Sequence, residues 1–211
     1  MIDDINNTFK TIYKDFSWSM GQTESRSGAG STIDFTWNFR KVLLDTIKQK
    51  QIKTILDCSC GDWNWMKMIS EFLPNYTGID CVQEAIDINN SNYSNNRIKF
   101  ICSDMNSYMS NLTESYDLII IRHTLEHLPL EYAIESVKLA KQYSKYMLIT
   151  SFSENIINCD LNFPKETYRP LNLESKPFLE ILGSPIESYY DGPELRDLNL
   201  KYPKINLYEN N

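Results

Sequence analysis

Along residues 52–151 the chain alternates between two hydrophobic periods. Short apolar runs at 54–58 (TILDC), 76–80 (YTGID), 98–102 (IKFIC), 117–121 (DLIII) and 146–151 (YMLITS) have the length and composition of buried strands. Between them, apolar residues recur at three- and four-residue steps: Trp65, Met68, Ile69 and Phe72 form one stripe and Ala133, Val137 and Ala140 another. This alternation predicts repeated βα units with five parallel strands, and both stripes read as core. Upstream, Ser31 followed by Asp34 has capping-box spacing, and Phe35, Phe39, Val42, Leu43 and Ile47 predict an amphipathic helix beginning there. Ahead of that lie a polar start, an aromatic cluster at 16–20 (FSWSM) and a loop of small residues at 21–31. Downstream the βα rhythm stops. Runs at 186–190 and 205–208, joined through Asp191, Gly192 and Pro193 with no crossover helix, predict two antiparallel strands. The expected architecture is an α/β, three-layer Rossmann-like sandwich: five parallel strands followed by an antiparallel C-terminal hairpin.

Length and composition narrow the function. The 211 residues suit one domain, divided into an N-terminal cap and loop (1–31), a cofactor-binding core (32–151) and a substrate loop with the hairpin (152–211). No apolar run approaches the roughly 20 residues of a membrane helix, and the acidic start MIDDINN is unlike a secretory signal, so a cytoplasmic protein without membrane partners is expected. A net charge of -7 would repel a phosphate backbone, which argues against nucleic acid and for a small-molecule substrate. The five cysteines show no CxxC pairing and read as buried free thiols.

In an open parallel sheet, ligands bind beyond the carboxyl ends of the strands, near the point where strand order reverses. After the first run comes Asp57-Cys58-Ser59-Cys60-Gly61-Asp62, a turn small enough for a ligand to approach the backbone. The second run ends on Asp80, placed to accept from ribose hydroxyls. The third is followed by Asp104 and Met105, a pair suited to an exocyclic amine and an adenine face.

With these segments the chain resembles the class I S-adenosylmethionine-dependent methyltransferases: ILDCSCGD matches that family's first motif, TGID the acidic second strand end, ICSDM the third, and YDLIIIRHTLEHL the fourth strand with its EHL segment. SRSGAGST, GDWNWM and YRPLNL resemble a narrower bacterial group of such enzymes, some associated with sugar clusters. The resemblance implies S-adenosylmethionine as cofactor, with Asp57, Ser59 and Gly61 at its methionine part, Asp80 at the ribose and Asp104 with Met105 at the adenine. Cys58, Cys81 and Arg122, beside these positions, complete the expected cofactor-binding set. The chain departs from the family where the loop's usual first and third glycines are Ser59 and Trp63.

Both histidines fall in RHTLEHL, where the fourth strand opens toward the site. His123 is expected as general base or acceptor-orienting group and His127 as a second catalytic candidate that could instead brace the next helix. His123, Glu126 and His127 also spell the HxxEH pattern of some zinc peptidases, but that pattern belongs on a helix, so no metal is expected and metal-assisted transfer is the alternative. Two loops are candidates to close the pocket. The SGAGS segment ending at Ser31 could wrap an anionic group with backbone amides. Tyr168, Arg169 and Asn172 offer an aromatic face, a positive fork and an amide for a phosphate, carboxylate or sugar. The expected activity is methylation of an oxygen or nitrogen on a small polar metabolite or surface-glycan precursor. The rivals are a non-catalytic S-adenosylmethionine-binding protein and a nicotinamide-dependent oxidoreductase, the latter disfavoured by the absence of GxGxxG.

Overall fold

The computed structural model describes residues 2–152, 156–194 and 201–210. In chain order its elements are α1 (Ile2–Lys14), α2 (Trp37–Gln49), β1 (Thr54–Cys58), β2 (Asn75–Asp80), α3 (Gln83–Tyr93), β3 (Ile98–Cys102), α4 (Met105–Ser110), β4 (Tyr116–Ile121), α5 (Leu130–Gln142), β5 (Ser144–Ser151), α6 (Phe178–Leu182), β6 (Glu187–Tyr190) and β7 (Lys204–Glu209). Short 3-10 turns occupy Ala29–Ser31, Met66–Phe72 and Leu125–His127.

All seven strands form one sheet in the order β3-β2-β1-β4-β5-β7-β6. β1 pairs in parallel with β2 (Ile55 opposite Tyr76) and with β4 (Ile55 opposite Leu118), while β2–β3 and β4–β5 extend the parallel core on either side. β7 runs antiparallel to both β5 and β6, and so inserts between them. Strand order therefore reverses between β1 and β4, which puts a crevice at their carboxyl ends.

The near-continuous apolar character of the central strands follows from burial on both faces. Leu56, Cys58, Ile119, Ile121 and Ile149 pack with Met109, Ala133, Val137 and Phe178 of α4, α5 and α6. Ile55, Leu118, Ile120 and Leu148 pack on the other face with Phe39, Val42 and Leu43 of α2 and with Trp63, Met66 and Ile69.

Several expectations need correction. The polar start is a helix: Ile5, Ile12 and Tyr13 of α1 are buried, a stripe diluted in the sequence by the asparagines and aspartates between them. α2 begins at Trp37 instead of after Ser31, and its N-cap Thr36 makes no side-chain cap bond. Ser31 cannot cap it, because it ends the separate 3-10 turn Ala29–Ser31 and lies well ahead of the first helical residue. The stripe after β1 is only half core: Met66–Phe72 is wound as a 3-10 helix, whose three-residue periodicity puts Met66 and Ile69 on the buried face and turns Met68 outward, 54% exposed, while Phe72, the helix's last residue, is 64% exposed. Of the cysteines, all free, Cys58 and Cys60 are buried, Cys81 is half-buried, and Cys102 and Cys159 are exposed. Among the described residues, no helix is long and apolar enough to cross a membrane.

Candidate active site

The turn after β1 has an alternating backbone: Ser59, Gly61 and Trp63 lie at φ 68°, 56° and 55°. Ser59 and Trp63 thus adopt the left-handed conformation of the glycines they replace, at a cost of roughly 1–2 kcal/mol each. For Trp63 the burial of its indole against Tyr76, Tyr93 and Phe100 offsets that strain. Neighbouring elements fix the loop: Cys60 N–H donates to the Ile79 carbonyl at 2.9 Å, and the buried Asn89 amide of α3 donates to the Gly61 carbonyl at 2.8 Å.

Asp80, at the end of β2, is oriented by two backbone amides. Oδ2 accepts from Gly61 N–H at 3.0 Å and Oδ1 from Val82 N–H at 2.9 Å, so each oxygen keeps a further lone pair for a ligand. Burial pushes its carboxyl above the ordinary carboxylate value, against the pull of the Val82 and Gly61 amides. Asp104 caps α4 through Ser107 N–H at 2.9 Å, and its other oxygen accepts from the Tyr132 hydroxyl; Met105 beside it is buried.

The segment that leads into the SGAGS loop wraps an anion of the protein's own, and it does so mainly with side-chain hydroxyls instead of the loop's backbone amides. Ser25 Oγ, Arg26 N–H and Ser27 Oγ donate to the Asp62 carboxylate at 2.8–3.2 Å, while Asp62 N–H donates back to Ser27 Oγ at 3.0 Å. Glu24 completes the strap by accepting from Asn64 Nδ2 at 2.5 Å and Ile33 N–H at 2.7 Å. A Cβ at Gly61 would collide with Ser27 Oγ, so glycine is required here for the strap to lie flat on the turn.

The end of β4 carries a buried charge cluster. Arg122 donates to the Gly30 carbonyl at 2.9 Å and to Asp191 Oδ1 at 3.0 Å, with its Nε 3.0 Å from Asp191 Oδ2, and it lies over the rings of Phe39 and Trp65. His123, at φ 48°, directs Nδ1 at Glu126 Oε1 (2.7 Å) and Nε2 at Asp191 Oδ2 (3.1 Å), the latter a close charge contact off hydrogen-bond alignment. Burial opposes charge on this imidazole, but the Asp191 and Glu126 carboxylates outweigh it and raise its pKa above the ordinary value. Both carboxylates move the other way: burial works against their ionisation, yet the cations beside them hold Glu126 and Asp191 below the usual carboxylate range. The two carboxylates thus favour the charged form of His123, in which neither ring nitrogen has a lone pair to accept a proton.

His127 is its opposite. Burial lowers its pKa, so the ring is neutral near pH 7. Nδ1 lies 2.6 Å from the Thr167 carbonyl, which makes it the protonated nitrogen and leaves an acceptor lone pair on Nε2, for which no hydrogen-bond partner occurs among the described residues. The ring stacks on Trp18 at a centroid separation of 4.4 Å.

These groups line one cavity of about 710 Å³ over the carboxyl ends of the strands, large enough for a cofactor and a small acceptor. Ser59, Gly61, Asp80, Cys81, Asp104 and Met105 line one part; Ser31, Arg122, His123, His127 and Tyr168 line another. Four expected site residues lie outside it. Asp57 is buried in the sheet with its carboxylate 2.5 Å from the Tyr76 hydroxyl; burial pushes it up to about 7, against the pull of Tyr76 and Arg122. Cys58 is fully buried in the core beside it. Arg169 is not a free fork: its guanidinium donates to the carbonyls of Cys159, Leu125 and Glu126 and pins the substrate loop to the turn after β4. Asn172 closes a local turn through Glu174 N–H and Ser175 Oγ.

The site also uses residues that no local pattern marks as functional. Asp191 was read only as a turn residue of the hairpin, and Trp18 only as part of an aromatic cluster. Ile5, Phe9 and Ile12 of α1 roof the cavity, and their four- and three-residue spacing was the available signal. Among the described residues, no group of three or more His, Cys, Asp and Glu is arranged to hold a metal ion.

A model of the methyltransferase domain matches residues 55–146, the segment that carries β1 to β4, the start of β5 and the strand-end carboxylates. Over those residues the chain is similar to a methyltransferase domain, and its fold is that of the class I methyltransferases. The same fold recurs in solved structures of low identity. The N-methyltransferase NodS from Bradyrhizobium japonicum WM9, in complex with S-adenosyl-L-homocysteine, superposes with a TM-score of 0.65 at 12% identity, covering 94% of this chain and 98% of that one. The methyltransferase domain of bacterial CtHen1-CN gives 0.62 at 13% identity over 83% and 99%. The magnesium protoporphyrin IX methyltransferase ChlM of Synechocystis PCC 6803, with bound S-adenosyl-L-homocysteine, gives 0.61 at 15% over 97% and 93%. No curated protein matches the chain.

Proposed function

We propose that this methyltransferase domain binds S-adenosylmethionine along the ends of β1, β2 and β3 and methylates an oxygen or nitrogen of a small polar metabolite held against the ends of β4 and β5. The single observation that carries this reading is the partition of one cavity between the Gly61, Asp80, Asp104 and Met105 strand ends and the His127 side. The residues present fit the cofactor: Asp80 has two pre-oriented oxygens for a ribose, Met105 an apolar face for adenine, and Ser59 and Gly61 a turn that admits close approach. When bound, S-adenosylmethionine supplies a sulfonium methyl group, and holding the acceptor in line with it contributes most of the acceleration. Where the acceptor must lose a proton, His127 Nε2 takes it; His123 serves as a positioning group that ties Glu126 to Asp191.

The phosphate-bearing branch of the substrate expectation loses its support, because each cation lining the cavity is paired: Arg122 with Asp191, His123 with Glu126 and Asp191, and Arg26 with Glu84 at 3.2 Å. A glycan precursor keeps support only through an uncharged or aminated body. Calorimetric titration with S-adenosylhomocysteine and with NAD tests the assignment. Micromolar binding of the former alone is expected, and a preference for NAD would overturn it.

A further inference from the structure

We infer that the half of the cavity beyond Asp80 and Asp104 is an acceptor subsite for an amine that enters as an ammonium cation. The inference rests on the methyltransferase reading above and narrows its acceptor to nitrogen.

Six rings form a continuous arc on that wall. Trp18 contacts His127 at 4.4 Å between centroids, His127 contacts Tyr168 at 5.5 Å, Tyr168 contacts Phe152 at 6.2 Å, Phe152 contacts His123 at 6.1 Å, and His123 contacts Phe35 at 6.2 Å. All six line the cavity. They come from separate stretches of the chain: the segment after α1, the approach to α2, the turn after β4, the end of β5 and the loop beyond it. No one amphipathic element could place them together as a by-product of its own packing. The electrostatics of the wall point one way. Aromatic faces are negative, and the Trp, Tyr and Phe members of such an arc each attract a cation. Glu126, which also lines the cavity, adds a carboxylate whose charge is felt by Tyr168, where it acts with burial to raise the phenol's pKa. The buried cations of the wall, Arg122 and His123, are committed to Asp191 and Glu126, so an anionic body there would meet ring faces and a carboxylate with no free counter-charge.

The chemistry balances with groups already present. The ammonium gives one proton to His127 Nε2, whose Nδ1 is tied to the Thr167 carbonyl, and so frees its lone pair. The nitrogen then forms a bond to the donor's methyl carbon as the carbon–sulfur bond breaks, and the positive charge passes from sulfur to nitrogen. The proton on His127 leaves to solvent.

The test separates this inference from the reading beneath it. Protein saturated with S-adenosylhomocysteine is titrated by calorimetry with choline and with 3,3-dimethylbutan-1-ol, which share a shape and differ in charge, and with inorganic phosphate. Choline is expected to bind at least tenfold more tightly than the alcohol, and phosphate not to bind. The preference should disappear in Trp18→Leu and shrink in Tyr168→Leu, and should be kept in Trp18→Phe, all three still binding S-adenosylhomocysteine. Equal binding of the two isosteres, no binding of either, tighter binding of phosphate, or an unchanged preference in both leucine variants would overturn the amine subsite. Failure of S-adenosylhomocysteine to bind the wild type would overturn the methyltransferase reading itself.

Discussion

The two halves of the cavity are built on different plans. The cofactor half is sequential: Ser59, Gly61, Asp80, Asp104 and Met105 stand at the ends of three successive strands, and their polar partners lie no more than 28 residues away. The acceptor half is assembled from distance. Gly30 bonds Arg122 across 92 residues, Asp191 bonds Arg122 across 69, and the Thr167 carbonyl meets His127 across 40. A binding site for a ligand shared by many enzymes can be written into a repeating βα unit, whereas a site for one particular acceptor is closed by the chain's terminal segments and loops, which are free to vary.

The comparison breaks most sharply at Asp191. Its carboxylate is fully buried between Arg122 and His123. Asp191→Ala leaves buried Arg122 without its carboxylate and His123 with Glu126 alone, and should cost about 3–5 kcal/mol of stability in chemical denaturation, far more than loss of an exposed ion pair would. The cluster also sets a pH window. His123, whose folded pKa is raised, contributes stability that is complete below the ordinary imidazole value and is lost as pH rises through the raised one. Glu126 and Asp191, whose folded values are depressed, contribute stability that is present above the ordinary carboxylate range and is lost as pH falls through the depressed values. Melting profiles of the wild type should therefore fall off on both sides of neutrality, and His123→Gln should flatten the alkaline limb.

The next effect in size is catalytic. His127→Ala should lower turnover by roughly 100-fold with S-adenosylhomocysteine affinity unchanged, the loss expected for a general base. Because burial depresses the His127 pKa, activity should persist into mild acid and decline only below the ordinary histidine range. His123→Gln should change the Michaelis constant more than the turnover number. Rates for the two variants across pH decide between the histidines, and a larger turnover loss at His123 would reverse their roles.

How much of this was legible follows the same division. The five parallel strands, the antiparallel pair and the positions of Asp80, Asp104, Met105 and Gly61 were readable because period and spacing are local properties. Asp57 was misplaced on the cofactor because a strand-end carboxylate looks the same whether it faces the crevice or, as here, turns into the sheet toward Tyr76. Arg169 looked like a free fork because nothing in YRPLNL reveals that three carbonyls from two other turns would claim it. Asp191 and Trp18 were invisible as site residues for the same reason: their partners lie far away in sequence.

On the cofactor side, Asp80→Ala should weaken S-adenosylhomocysteine by about 1–3 kcal/mol, since the ribose hydroxyls lose their acceptor and the Gly61 amide loses the carboxylate that orients it. Calorimetric titration measures it, and an unchanged dissociation constant would remove Asp80 from the site.

The smallest effect concerns the departure from the family pattern at Ser59. Its φ of 68° costs a side-chain-bearing residue roughly 1–2 kcal/mol, and glycine would remove that strain. Glycine also gives the unfolded chain more freedom, which takes back about 0.5–1 kcal/mol. Ser59→Gly should therefore stabilise the fold by no more than about 1.5 kcal/mol and leave the turn's geometry and cofactor affinity nearly as they are, since the conformation is already the one glycine would adopt. Trp63, at φ 55° in the same turn, separates strain from packing: removal of its buried indole should destabilise by about 3–5 kcal/mol, although the backbone relief is the same. Denaturation midpoints of the two glycine variants measure the contrast. If Ser59→Gly proved strongly destabilising, the serine hydroxyl would be holding the turn, and the backbone account of this loop would fail.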